Sequence, residues 1–327
     1  MKALVYTAPH EVTYRDEPAP SRGTEEVLLH IDAAGICGSD MHAYHGHDPR
    51  RVPPLILGHE LSARVVEGPG EGRRVTVNPL ITCGRCEYCV QGRDNLCAHR
   101  TMIGMTRAGG FAELMTTAAS SVIDIPQDIS VRAAALTEPA ATALHTIAIA
   151  TRALVRPLPE CNVLVLGGGA IGMLAALLLQ SYGVRRISVG ETNALRRASL
   201  TNATQAHVYD PAREQPSGAD LVLDAVGAGA TRTTALGAVK PGGVVMHVGL
   251  MDWASEIDMR KLTLAEITLI GTYTYTTTDL RAAVAALAGG AFGDLAWVEE
   301  RPLADGAAAF RDLHEGRSAA AKIILRP

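Results

Sequence analysis

The chain of 327 residues carries 30 lysines and arginines against 34 aspartates and glutamates, a formal net charge of −4. The two signs are interspersed without a basic run, which argues against nucleic acid as a partner. No apolar stretch reaches the ~18 residues of a membrane span, and the N-terminus lacks a signal peptide's apolar core of ~7–15 residues. We therefore expect a cytoplasmic protein of about two domains with no membrane partner.

Short β-rich segments dominate residues 1–141. The stretches KALVYT, EVLLHIDAAGI and LSARVVEG have the composition of strands, and the clusters EPAPSRG and EGPGEG between them have the composition of turns. The pattern predicts an irregular, mostly β first domain.

Four of the six cysteines, Cys83, Cys86, Cys89 and Cys97, lie in this domain with the spacing C-x2-C-x2-C-x7-C. Cytoplasmic thiols stay reduced, and thiolates at such spacing can converge on one tetrahedral Zn²⁺. Disulfides between neighbouring C-x2-C pairs would be strained, and a redox motif needs only one such pair. We predict a structural zinc lobe over about residues 78–100, with disulfides or redox use as the alternatives. Sulfur fills all four ligand positions, so this metal would do no chemistry.

Strands and helices alternate over residues 142–285. NVLVLG predicts a buried strand and AIGMLAALLLQSYG a helix, and further strands are predicted in RRISVG, ADLVLDAVG, GGVVMHVG and ITLIGTY. This alternation is typical of a doubly wound parallel sheet with helices on both faces, and thus of an α/β fold. A late helix is predicted in TTTDLRAAVAALAGG, with its cap near Thr278 or Asp279. The tail, residues 286–327, has a strand–helix–strand pattern, and we expect it to return to the first domain.

A dinucleotide-binding turn is predicted in VLVLGGGAIG, where Gly167, Gly169 and Gly172 follow a strand and open a helix. The glycines permit a tight turn, close approach of a pyrophosphate and close helix–strand packing. Glu191, at the end of the next strand, is suited to the ribose hydroxyls and would repel a 2′-phosphate, which favours NAD over NADP. Arg196 and Arg197 argue in the other direction, because either could meet such a phosphate.

Cys37, His59, Glu60 and Glu138 are candidate ligands of a second, open metal site. One thiolate, one imidazole and a carboxylate suit Zn²⁺ and leave a coordination position for water or substrate. The residues are far apart in sequence, and a lone cysteine or histidine is more often part of a core. Their spacing alone therefore leaves open the interpretation that these residues are ordinary parts of a core.

The motifs GICGSDMH, LGHE, GGFAEL, EPAATALH, VLVLGGGAIG and LVLDAVG occur in this order, together with the four-cysteine segment. Through them the chain resembles the zinc-dependent medium-chain alcohol dehydrogenases, of the sorbitol and threonine dehydrogenase type, over essentially its whole length. The resemblance implies a GroES-like catalytic domain, a Rossmann NAD-binding domain, two Zn²⁺ per subunit and a homo-dimer or homo-tetramer. It implies Cys37 and His59 as catalytic zinc ligands, with Glu60 and Glu138 as ligands or near-ligands.

The same resemblance implies the catalytic roles. Ser39 would take the proton of an alcohol whose pKa Zn²⁺ lowers, and His42 would pass that proton to solvent. Hydride would then move to the nicotinamide, with Ile171 and Thr142 on either side of its ring. Asp40 would orient His59.

The substrate is the least determined feature. Tyr44 matches a position that lines the polyol cleft in sorbitol-type relatives. Those relatives often carry an arginine between two aromatic residues where this chain has Tyr273, Thr274 and Tyr275, so sorbitol itself is in doubt. A polyol, a sugar acid, a 2-amino-3-hydroxy acid and a simple secondary alcohol all stay open.

Two other functions are compatible with parts of the sequence: a non-catalytic, zinc-stapled dinucleotide-binding protein, and a double-bond reductase on the same scaffold. Neither of these functions requires all of the residues predicted for the open metal site, Cys37, His59, Glu138, Ser39 and His42. The remaining histidines give no pattern: His45 and His47 are expected to be solvated loop residues, and His10 and His314 belong to no constellation. Cys161 is expected in the core.

Overall fold

Short antiparallel strands form the first part of the chain in the computed structural model, which describes all residues 1–327. Its elements are β1 (Lys2–Ala8), β2 (Glu11–Asp16), β3 (Glu26–Gly35), α1 (Gly38–Tyr44), β4 (Leu55–Ile56), β5 (Glu60–Glu67), β6 (Arg74–Val77), β7 (Leu80–Ile81), α2 (Glu87–Val90), β8 (Thr101–Met102), β9 (Leu114–Ala118) and β10 (Val122–Asp124). In β3 buried residues alternate with partly exposed ones over most of its length, the period-two pattern of a strand with one face on a core.

The second part alternates strands with helices, as the sequence predicts. Its elements are α3 (Val131–Ala135), α4 (Thr137–Ala153), β11 (Asn162–Leu166), α5 (Ala170–Ser181), β12 (Arg186–Gly190), α6 (Ala194–Ala203), β13 (His207–Tyr209), β14 (Ala219–Asp224), α7 (Gly229–Ala238), β15 (Val239–His247), α8 (Met259–Leu264), β16 (Thr268–Gly271) and α9 (Thr277–Ala288). The chain ends with β17 (Val298–Pro302), α10 (Gly306–His314) and β18 (Lys322–Arg326).

The parallel sheet has six strands in the order β13-β12-β11-β14-β15-β16. The order reverses between β11 and β14, and in such sheets ligands bind in the crevice at the carboxyl ends of the strands beside that reversal. The predicted doubly wound α/β fold is therefore confirmed, and the Gly-rich turn after β11 lies at this crevice.

The C-terminal strands join the first sheet. Its path runs β10-β6-β5-β3-β18-β17, with β9 also paired to β3. β18 is antiparallel to β3, with Ile324 opposite Gly35. This pairing places β18, close to the C-terminus, beside β3, the strand that precedes Cys37.

Helix α9 begins earlier than the sequence prediction. Thr276 is its N-cap and accepts a hydrogen bond from the backbone N–H of Asp279, while the Asp279 carboxylate accepts from the N–H of Thr276 at 2.9 Å. This reciprocal capping box puts the cap at Thr276 rather than near Thr278 or Asp279, so the helix starts at Thr277. None of the helices combines the length and apolar composition that a membrane crossing requires.

Candidate metal and cofactor sites

The four-cysteine lobe brings its sulfurs together. The Sγ–Sγ distances are 3.5 Å for Cys86–Cys89, 3.6 Å for Cys83–Cys97 and 4.0 Å for Cys83–Cys89, and all four thiols are free. A Zn–S bond of ~2.3 Å implies ~3.8 Å between tetrahedral ligands, so the cluster has the size of a zinc site. Backbone N–H groups in the following turn lower the pKa of Cys83 to about 6, which favours the thiolate that a metal needs.

Cys37, His59 and Glu60 form a second cluster, with their ligand atoms within 4.8 Å of one another. Cys37 is the N-cap of α1, and Glu60 begins β5 opposite Gly35 of β3. His59 and Glu60 are buried, whereas Cys37 is partly exposed. One sulfur, one nitrogen and one carboxylate in a partly open place are the donor set of a zinc site with a free coordination position.

Asp40 orients this cluster from within the protein. One carboxylate oxygen accepts the N–H of Cys37 at 3.0 Å, and the other lies 3.5 Å from Nδ1 of His59. Burial works against charge on both groups, yet their mutual attraction prevails, lowering the pKa of Asp40 and raising that of His59 well above its ordinary value. Because Nδ1 faces Asp40, Nε2 is the nitrogen turned toward the site, 3.4 Å from Oγ of Ser39.

Lys322 is a site residue that the sequence analysis missed. Its Nζ lies 2.6 and 2.8 Å from the two oxygens of Glu60 and donates to the carbonyl of Ile36 at 2.8 Å. Burial opposes its charge, but the attraction of Glu60 prevails and raises the pKa of Lys322. A lysine inside the apolar strand KIILR was the available signal, because a charged residue there needs a partner.

Glu138 lies in the first turn of α4 beside this cluster but outside the three-residue group. Its Oε1 accepts a hydrogen bond from the hydroxyl of Tyr275 at 2.8 Å. Burial, reinforced by the charge of Glu60, raises the pKa of Glu138 to about 7, and burial beside Glu138 raises the pKa of Tyr275 well above its usual range. The other carboxylate oxygen of Glu138 accepts no hydrogen bond from Tyr275.

Arg51 is the second residue that the sequence analysis missed. Its guanidinium is buried and donates to a carboxylate oxygen of Asp48, to the carbonyl of Gly104 at 3.1 Å and to Oγ of Ser39 at 3.1 Å. Burial works against the charge of Asp48, but Arg50 and Arg51 outweigh it and hold the pKa of Asp48 at about 2. The available signal was the pair of adjacent arginines in HDPRRVPP, which lies between α1 and the strand before His59.

Ser39 and His42, the predicted proton path, lie one turn apart on α1 without a direct hydrogen bond between their side chains. His42 is half-buried, and burial together with the charge of His47 lowers its pKa. A neutral His42 can accept a proton.

The predicted substrate residues are in different surroundings. Tyr44 is buried, with its ring 5.4 Å from that of Phe310. Tyr273 stacks under the guanidinium of Arg100 at 4.8 Å and accepts from its Nε at 3.3 Å, so it packs on the four-cysteine lobe. Thr274 has a φ of 49°, and its buried hydroxyl has no hydrogen-bond partner. Of the four predicted residues, only Tyr275 contacts Glu138.

The Gly-rich turn has the shape of a dinucleotide cradle. A Cβ on Gly172 would lie 1.8 Å from the carbonyl oxygen of Gly167, so only glycine fits where α5 packs on β11. A Cβ on Gly169, by contrast, would meet nothing within 4 Å, which leaves open space over the N-terminus of α5. Ile171 in that first turn and Thr142 on α4 are both partly exposed. Backbone amides facing open space at a helix N-terminus suit a pyrophosphate.

Glu191 is held against this turn. One carboxylate oxygen accepts the N–H of Gly168 at 2.9 Å, and the other accepts the N–H of Asn193 at 2.7 Å. Arg196 donates to the same group at 3.2 Å. The acidic residue therefore lies beside the cradle, with Arg196 already paired to it.

Three histidines converge elsewhere, which corrects the sequence analysis. The ring nitrogens of His10, His45 and His314 lie within 4.8 Å of one another, although the sequence had indicated no constellation for His10 and His314. The residues come from three separate elements, so no local spacing could reveal the cluster. Cys161 is buried, in line with a core role.

Two family models match the chain: residues 23–127 match the alcohol dehydrogenase GroES-like domain, and residues 170–289 match the zinc-binding dehydrogenase. The L-galactonate-5-dehydrogenase of Escherichia coli is 31% identical over 297 residues, with 85% of each chain covered. The L-threonine 3-dehydrogenase of a Chelativorans species is 31% identical over 293 residues, covering 84% of this chain and 83% of the relative. The structure of acetophenone reductase from Geotrichum candidum in complex with NAD has a TM-score of 0.89 at 26% identity, covering 100% of this chain and 97% of that one. These similarities favour a dehydrogenase over the two alternative functions.

Proposed function

The chain belongs to the zinc-dependent medium-chain alcohol dehydrogenase family, and we propose on that basis how its residues carry out the oxidation of a secondary alcohol. As a member it is a zinc- and NAD-dependent oxidoreductase acting on CH–OH groups. The observation that carries the assignment of residues is the proximity of the Cys37 thiol to the His59 imidazole, with the Ser39 hydroxyl 3.4 Å from His59.

We assign the catalytic zinc to Cys37, His59 and Glu138. Glu60 is the alternative carboxylate, but Lys322 already engages both of its oxygens. Glu138 has only one oxygen engaged, by Tyr275. Zn²⁺ held by these residues would lower the pKa of an alcohol hydroxyl. The structural zinc is assigned to the four cysteines of the lobe.

Ser39 moves the substrate proton in this scheme. A serine hydroxyl has two lone pairs and one hydrogen, and Arg51 occupies one lone pair. The second lone pair can accept the alcohol proton, while the hydroxyl hydrogen is passed on toward His42. Arg51 thus acts as a positioning residue that limits the rotation of the Ser39 hydroxyl.

The Gly-rich turn, Ile171 and Thr142 would hold and orient the nicotinamide cofactor, which would supply the hydride acceptor. We propose NAD over NADP because the Glu191 carboxylate lies beside the cradle, where a 2′-phosphate would meet a like charge. Arg196 does not offset this, since it is already paired with Glu191.

The proposed substrate is a secondary alcohol with a second polar group next to it, such as a polyol, a sugar acid or a 2-amino-3-hydroxy acid. The names of the two relatives, which act on galactonate and on threonine, support this class.

The direct test is a panel of alcohols, polyols and hydroxy acids with NAD and with NADP, followed by the absorbance of the reduced cofactor. Turnover of vicinal diols or hydroxy acids with NAD supports the proposal. Turnover confined to primary alcohols would reject the substrate class, and reduction of activated double bonds alone would reject the residue roles.

We also propose the organisation around this site. Residues 1–141 and 286–327 form the catalytic domain and residues 142–285 the NAD-binding domain, supported by the pairing of β18 with β3. A homo-oligomer is supported by exposed apolar residues beside the outer strand β16, among them Trp253 and Leu264, and light scattering of the purified protein tests it. A cytoplasmic location is supported by the free cysteines, which need a reducing compartment; fractionation tests it.

A further inference from the structure

Three histidines from distant parts of the chain meet at the C-terminal end of α1. His10 lies in the turn between β1 and β2, His45 directly follows α1, and His314 is the last residue of α10. Their ring nitrogens lie within 4.8 Å of one another, and Nε2 of His45 is 2.9 Å from Nδ1 of His314. His10 and His314 are exposed and His45 is partly buried, so a small ion can reach all three.

The three histidines differ from four other histidines of the chain in their partners. Each of those four has a ring nitrogen within 4.0 Å of a carboxylate oxygen: His30, His59, His145 and His207. None of the three clustered imidazoles has such a counter-ion; their neighbours are one another and further aromatic rings. The 2.9 Å contact is a hydrogen bond in which the ring nitrogen of one histidine donates to that of the other, and a metal ion that replaces the shared hydrogen would take a lone pair from each ring.

The cluster is built on a buried support. The backbone N–H of His10 donates to the carbonyl of Tyr44 at 2.6 Å, and His10 has a φ of 64°, in the left-handed region. The buried ring of Tyr44 lies 5.2 Å from that of His10 and 5.4 Å from that of Phe310 on α10. The three backbones are therefore tied to one core, and only side-chain rotation is needed to adjust the nitrogens.

We propose that His10, His45 and His314 form a third metal site, separate from the two zinc sites, that binds one divalent cation of the Zn²⁺, Ni²⁺ or Cu²⁺ class. Imidazole is the ligand these ions share, and a bond of ~2.0–2.1 Å implies ~3.4 Å between tetrahedral ligand nitrogens. The observed separations, from 2.9 Å to at most 4.8 Å, bracket that value. Solvent supplies the remaining ligand.

Occupancy of this site has a structural consequence. It links the β1–β2 turn, α10 and the end of α1, and α1 also carries Ser39 and His42. Because the ion binds the folded chain and not the separated segments, it raises the stability of the protein.

The test is calorimetric titration of untagged enzyme, already loaded with its two zinc ions, with NiCl₂. We compare the wild type with His314→Ala, His10→Ala and the control His207→Ala, an exposed histidine paired with Glu214 on the other domain. The wild type and the control should bind one Ni²⁺ with equal affinity, and each cluster variant should bind at least ~10-fold more weakly, since losing even an outer-shell partner costs ~10–100-fold. Thermal melting with Ni²⁺ should show a rise in Tm for the wild type and the control only.

Three results would overturn the proposal. The first is a wild type that takes up no third ion. The second is a third ion bound as tightly by His314→Ala and His10→Ala as by the wild type. The third is a loss of binding in His207→Ala as large as in the cluster variants, which would show adventitious binding to surface histidines.

Discussion

Replacing Arg51 by methionine should destabilise the protein and slow its reaction, whereas the same change at Arg50 should do little. Both arginines contact Asp48, but the Arg51 side chain has no solvent exposure and that of Arg50 is 58% exposed. The Arg51 variant loses a charge-assisted hydrogen bond, worth ~1.5–3 kcal/mol, and leaves the Gly104 carbonyl unpaired, at ~1–3 kcal/mol. Arg50 still neutralises Asp48, so we expect a loss near the lower end, ~3 kcal/mol. For the exposed Arg50, the expected loss is at most ~1 kcal/mol.

Urea titration of the zinc-loaded enzyme gives the free energies of unfolding, and steady-state rates with NAD give kcat and KM. Without Arg51 the Ser39 hydroxyl loses one of its two side-chain contacts, so kcat should fall by ~10–10²-fold, a part of the ~10²–10⁴-fold that positioned proton transfer contributes, with KM for NAD unchanged. Arg51→Lys, which keeps a buried donor, should recover part of the rate. A loss of stability below ~1 kcal/mol, or equal effects of Arg50→Met and Arg51→Met, would refute the role assigned to the buried guanidinium.

Three further predictions concern the metals, the cofactor and the substrate. Elemental analysis should find about two tightly held zinc ions per subunit. Cys37→Ser should lose most activity and one zinc yet stay folded, whereas Cys89→Ser should chiefly lower Tm. Activity of a protein without zinc at Cys37 would contradict the assignment of the catalytic zinc. The kcat/KM for NAD should exceed that for NADP by ~10²-fold or more, and Glu191→Gln should reduce this preference. Equal kcat/KM of the wild type with the two cofactors would contradict the role of Glu191. Vicinal diols should exceed 2-butanol in kcat/KM by ~10-fold or more. Thr274→Arg replaces a β-branched residue at φ 49° and should increase the difference in kcat/KM between long polyols and 2-butanol. A preference for 2-butanol that Thr274→Arg leaves unchanged would reject the polyol class.

The features that the sequence determined by itself are those whose parts lie close together in the chain. The four cysteines occupy one short segment, so their spacing alone predicts convergent sulfurs. The turn at Gly167 to Gly172 is likewise local, since a strand, three glycines and a helix define it. The α/β order follows from periodicity, which each strand and helix carries within its own residues.

Tertiary structure decided the contacts between residues that no local pattern relates. Lys322 meets Glu60 across 262 residues and His45 meets His314 across 269, and both pairs exist only because β18 joins β3 and α10 packs beside α1. Arg51 is close to Ser39 in sequence, yet only folding shows that it is buried against the hydroxyl rather than solvated. Burial and long-range pairing depend on how the elements pack, and a side chain's charge and hydrogen-bond partners follow from that packing, not from its neighbours in the chain.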